Sequence, residues 1–143
     1  MQMDANALGH CAPDCSSWGI PSRGTSLRNF INVAGNMFLP WIQGANMQVS
    51  RLVLVLLLMM SRNLCWVLEQ PRNSLLFRHR RFSWFTNHVA YVFQCAFWMM
   101  KHGSPTPKPS VCYSNMREIQ RLHLGALRKA ERERRTRGST TRH

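Results

Sequence analysis

A thiol and a carboxyl set the chemistry this chain can attempt. Cys15 lies in Ala12-Pro13-Asp14-Cys15-Ser16-Ser17-Trp18, and Glu69 lies in Val67-Leu68-Glu69-Gln70-Pro71. Each segment follows a short apolar run and ends in turn-forming residues, the pattern of a buried strand's exit. A nucleophilic cysteine needs exposure, a rigid support and nearby hydrogen-bond donors, and a strand-end turn with free N–H groups supplies the last two. A half-buried carboxyl at the matching position of the next strand would serve as acid or hydrogen-bond donor. A sulfur that attacks and a carboxyl that protonates the same ring can add to a pyrimidine. The plainer alternatives are a loop cysteine, and a glutamate that caps a helix or pairs with Arg72.

For the two groups to share a site, the elements between them must be strand, helix and parallel strand. A weakly apolar strand is expected over Asn6 to Ala12, then a loop from Pro13 to Gly35 broken by Gly19, Pro21 and Gly24. Asn36 to Gln43 is apolar but interrupted by Pro40. The main helix is expected from about Ala45 to Ser61, and Leu64 to Leu68 reads as a central strand covered on both faces. A right-handed crossover puts both strand exits on one sheet edge, where ligands bind in open α/β sheets. Leu75 to Phe77 and Phe82 to Asn87 suggest short helical pieces. His88 to Met100 and Ser110 to Ser114 read as an antiparallel hairpin around the proline-rich turn at 103–109. From Asn115 the stripe of Ile119, Leu122, Leu124 and Leu127 predicts a C-terminal helix.

The chain has 143 residues, with 19 Lys plus Arg against 6 Asp plus Glu. An excess of +13 favours polyanions through counterion release, so nucleic acid is the expected partner. Arg23 and Arg28 stand in the first loop among Ser22, Thr25 and Ser26, a composition suited to holding a phosphate. Arg121, Arg128, Lys129, Arg132, Arg134 and Arg135 form a basic arm that can grip phosphates without reading sequence. Five scattered cysteines point to reduced thiols and an intracellular protein, the nucleus included. Cys11 and Cys15 lack zinc-knuckle spacing, so no metal is expected. The apolar run Leu52 to Met60 is closed by Arg51 and Arg62 and covers about 14 Å of a layer about 30 Å thick. It reads as a helix buried on all sides rather than a membrane span.

The two segments resemble the catalytic half of the cytosine-5 DNA methyltransferases. That family carries its nucleophile in a Pro-Pro-Cys-Gln motif followed by Phe-Ser and a flexible loop, and its acid in Glu-Asn-Val at the end of the next strand. Pro13-Asp14-Cys15-Ser16-Ser17-Trp18 and Glu69-Gln70-Pro71 stand in those places, and Thr106-Pro107-Lys108 stands near the family's Gln-x-Arg-x-Arg motif. The resemblance implies that Cys15 attacks carbon six of a flipped-out cytosine while Glu69 contacts the ring nitrogen. It implies S-adenosylmethionine as methyl donor, held by a cofactor-binding half that lies outside this sequence and would come from a complementing chain. The implied fold is α/β, a partial Rossmann-like three-layer sandwich of about four strands with the last one reversed. Residues 1–116 would form that domain and 117–143 a basic helical arm. The chain would thus be a methyltransferase-like fragment, inactive alone, that binds nucleic acid. A non-enzymatic basic nucleic-acid-binding protein and a small membrane-associated protein anchored by residues 52–60 are the alternatives.

Overall fold

A computed structural model describes residues 7–89, 91–129 and 131. Four strands, β1 (Leu8–Cys11), β2 (Cys65–Pro71), β3 (Phe93–Trp98) and β4 (Pro109–Ser114), form one sheet in the order β1-β2-β4-β3. β1 runs parallel to β2, whereas β4 is reversed and inserted between β2 and β3. The helices are α1 (Arg23–Ser26), α2 (Pro40–Ser61) and α3 (Arg80–His88). The chain is therefore α/β with a mixed sheet, two parallel strands preceding an antiparallel hairpin.

The crossover helix is longer than expected because Pro40 starts it instead of breaking it. Proline at the first helical position loses nothing, since its missing N–H would have no partner there. Asn63 closes the helix in the left-handed region, and the Leu64 N–H donates to the Met59 carbonyl across the turn. Val49, Val53, Leu56 and Met59 recur at helical spacing and bury one face against Trp66 and Leu68 of β2 and Phe82 and Phe85 of α3. The opposite face stays in solvent, with Leu54 62% and Leu58 56% exposed. The expectation of a helix buried all round is corrected: the core supplies only one contact face, and nothing among the described residues covers the other.

β2 alternates rather than being buried on both sides. Trp66, Leu68 and Gln70 point under the helices, and Cys65, Val67 and Glu69 point to the other face. That second face carries a smaller cluster of Cys95, Phe97, Cys112 and Ile119. Its cover among the described residues is a single 3-10 segment, Arg117–Leu122, in place of the C-terminal helix read from the leucine stripe. Tertiary hydrogen bonds win over helical propensity there: the His123 ring bonds the Ala96 carbonyl of the β3 edge at 2.8 Å, and His102 bonds the Leu122 carbonyl at 2.9 Å. With Ile119 and Leu127 buried, this segment packs with the sheet instead of standing off as an arm from residue 117.

The loop between β1 and α2 is ordered from within by a buried cation. The Arg28 side chain, 1% exposed, donates to the Val33 and Ala34 carbonyls and to Asn46 Oδ1 and lies 3.5 Å from the Trp18 ring. Gly35 at φ +75° lets the chain pass this side chain, and a Cβ there would lie 2.7 Å from the Ser26 carbonyl and 2.8 Å from Arg28 Cγ. Gly35→Ala is expected to cost roughly 2 kcal/mol, from left-handed strain plus a backbone shift, lowering the melting temperature by several degrees in a thermal denaturation.

Candidate functional site

Cys15 follows β1 in a tight turn, where its carbonyl accepts the N–H groups of Trp18 and Gly19. The turn is fastened from two sides. Asp14 accepts the backbone N–H and the hydroxyl of Ser16 at 2.8 Å, and those bonds hold its carboxyl below the usual range. The buried Gln70 donates its amide to the Pro13 carbonyl at 2.6 Å and accepts the Ser74 hydroxyl. The residue after Glu69 thus ties the end of β2 to the turn that carries the thiol. Beyond the turn, the Leu75 N–H donates to the Trp18 carbonyl at 3.0 Å.

A hollow of about 700 Å³ opens at this edge, lined by Cys15, Ser16, residues 19–22, Pro71, Arg72, Asn73, Lys108 and Pro109. The expectation that Glu69 opens into the same crevice is corrected. Glu69 lies inside β2, opposite Cys112, rather than at the strand's exit, because β2 continues to Pro71. Its carboxylate meets Lys108 Nζ at 3.5 Å, so the hollow is joined to Glu69 through the lysine. Arg72 does not take that role. Burial, with the Glu69 charge and Cys95 adding to it, pushes the Cys112 thiol up to about 12. All five cysteines are unpaired.

The arginines divide sharply. Arg28 is corrected from phosphate ligand to internal support, since it is buried and one guanidinium nitrogen bonds the loop's own carbonyls and Asn46, although its Nε has no partner. Burial pushes it down to about 10, which leaves it charged at neutral pH. Arg23 does face a hollow, one of about 480 Å³ that also holds Phe30, Arg72, Arg78 and Tyr113. Arg121, Arg128 and Lys129 are exposed, while Arg132, Arg134 and Arg135 lie outside the described residues. Arg72, Arg78 and Lys108 were missed because reading charge by density directs attention to the arm. The available signal was position: Arg72 directly follows the proline that ends β2, and Arg78 ends the next turn.

In comparisons with known proteins, no family model, no curated sequence and no solved structure matched the chain. A cofactor site for S-adenosylmethionine does not fit the described residues. Gly19, Gly24 and Gly44 have ordinary backbone angles, and Gly35 packs closely on Arg28 and the Ser26 carbonyl. None makes a glycine-rich turn from strand to helix that would admit a cofactor backbone. Among the described residues no three His, Cys, Asp or Glu side chains come together to hold a metal ion.

One buried titratable group makes stability depend on pH. His79 packs edge-on against Trp18 with ring centroids 5.8 Å apart, and burial, aided by the Arg28 and Arg81 charges, pushes it down to about 4. The unfolded chain, titrating near 6.5, binds the extra proton first. Stability from this group is complete above that value and is lost as pH falls toward 4. Urea denaturation at pH 7 and pH 4.5 is expected to show the loss, and His79→Phe, which keeps a ring against Trp18, is expected to reduce it.

Proposed function

We propose that the chain is the cytosine-contacting half of a cytosine-5 methyltransferase-like, Rossmann-related domain, whose own capacity is to hold nucleic acid at the carboxyl edge of the sheet. The observation that carries this reading is the strand order β1-β2-β4-β3, with the last strand reversed between its neighbours and the Cys15 turn at the carboxyl end of β1. A methyltransferase of this class would need that topology in the half that carries its thiol. The charge excess adds to it, since a strand of nucleic acid is drawn to a basic surface irrespective of sequence. Methyl transfer would require S-adenosylmethionine held outside the described residues.

The chemistry left to this chain is addition of the Cys15 sulfur, at the hollow it lines, to carbon six of a pyrimidine. 5-Azacytosine in an oligonucleotide tests that step without a methyl donor. The sulfur bonds to carbon six, the ring C=N bond opens onto nitrogen five, and that nitrogen takes a proton. At saturating oligonucleotide, mass spectrometry is expected to find a one-to-one covalent complex that Cys15→Ser abolishes. A bound oligonucleotide without an adduct removes the catalytic part of the proposal.

A second reading is favoured by α2 alone. An 18-residue stretch of it has a mean hydropathy of 1.4, and only 28% of that stretch is buried. Leu54, Val55 and Leu58 on its outer face would then rest in the headgroup region of a membrane, as amphipathic helices do. Flotation with anionic lipid vesicles at high salt is the check: protein that floats, and stops floating in Leu54→Glu/Leu58→Glu, supports membrane attachment, and protein left at the bottom rejects it.

A further inference from the structure

Three guanidinium groups converge on the hollow beside the thiol without a counter-charge. Arg23, Arg72 and Arg78 all line it. The described acids are engaged elsewhere or lie off this face: Asp14 with Ser16, Glu69 with Lys108, Glu131 with Lys101, and Glu118 on the 3-10 segment over the opposite face of the sheet. No ion pair to these arginines occurs among the described residues. Like charges gathered at one point repel, and an anion placed between them relieves that cost.

The site is also built, in that its cations are held by other groups. Arg23 and Arg78 lie 5.4 and 4.8 Å from the centre of the Phe30 ring, whose side chain is otherwise exposed. The ring draws both cations to one place and shields them partly from water. Arg23 donates to the Asn73 carbonyl at 3.4 Å, while its Nε is buried and has no partner. Phe77 stacks on Tyr113 at 3.8 Å beneath them, giving the hollow a rigid aromatic floor. A planar, multiply donating set of guanidiniums suits the oxygens of a phosphate better than a single carboxylate.

We propose that Arg23, Arg72 and Arg78 form a phosphate-binding site for a nucleotide, either free or within a strand. The proposal rests on the nucleic-acid part of the reading above and gives it a location. Ile20, Arg72 and Asn73 line this hollow and also the hollow of Cys15. A phosphate seated here therefore sits next to the space from which a base would meet the thiol. The residues act as binding groups and need no chemistry of their own.

The test is equilibrium binding of a fluorescein-labelled oligodeoxycytidine, followed by anisotropy over a range of salt concentrations, with 2′-deoxycytidine 5′-monophosphate in a calorimetric arm. Arg72→Ala/Arg78→Ala changes two exposed side chains, and an unchanged melting temperature would confirm its fold. It is expected to weaken oligonucleotide binding by about tenfold or more and to flatten the salt dependence by more than one unit, as loss of two phosphate contacts demands. Arg121→Ala/Arg128→Ala removes the same charge elsewhere and is expected to do markedly less. Loss confined to the oligonucleotide assigns the site to a strand's backbone, and loss in both arms assigns it to a terminal phosphate. Equal losses in the two double variants, no loss in Arg72→Ala/Arg78→Ala, or wild-type protein that binds neither probe overturns the site. An absent 5-azacytosine adduct with intact, Arg72- and Arg78-dependent binding would remove the chemistry and leave the phosphate site standing.

Discussion

The fold depends on a charge placed where charges are costly. Much of the apolar content of the segment between β1 and α2, such as Phe30, Ile31 and Phe38, stays exposed rather than packed, yet the segment must return the chain to the start of a half-buried helix. Arg28 solves this by acting as an internal strut. One guanidinium supplies donors to two loop carbonyls and to Asn46 of α2, and its flat face rests on Trp18, which is itself in the main core. Burying a guanidinium without such partners would cost several kcal/mol, so its hydrogen bonds are the condition of its presence. Trp18 then passes the constraint on through its carbonyl to Leu75 and through its ring to His79.

That arrangement separates two uses of arginine. Arg28 is spent on structure, and the nearby Arg23, Arg72 and Arg78 are left facing a hollow. The difference arises from what surrounds each group rather than from its place in the sequence. Arg28 faces carbonyl oxygens from its own loop. Arg23 and Arg78 face the Phe30 ring, and Arg72 lines the same hollow. The two hollows at the sheet edge share a wall because the turn after β2 and the turn after β1 are bonded together through Gln70 and Pro13.

Much of the architecture was legible. The apolar runs before Asp14 and Glu69, the helical stretch between them and the proline-rich hairpin turn together specify a parallel pair followed by an antiparallel pair, which is the sheet observed. Element ends were less legible. Pro40 breaks a helix or begins one depending on whether upstream residues can fold away, and here the loop folds away around Arg28 and Gly35 through contacts that helical periodicity does not report. The leucine stripe after Asn115 has helical spacing, but the histidines that bond the β3 edge and the Leu122 carbonyl are invisible to a periodicity. The site was half legible for the same reason. Cys15 was read from its local turn, while the placement of Glu69 depends on how far β2 extends, which its pairing with β4 decides.

The position of Glu69 also guards the alignment of the sheet. Gln70 and Glu69 are neighbours and so project from opposite sides of β2, one into the helix-covered core and one toward Lys108. A slide of β2 by a single residue would exchange them, driving a carboxylate beneath α2, turning Trp66 and Leu68 out of the core and stranding the lysine outside. Such a misaligned state would sit several kcal/mol above the native one. A single acid thereby acts as an error check on strand pairing, a service it performs whether or not any base ever reaches it.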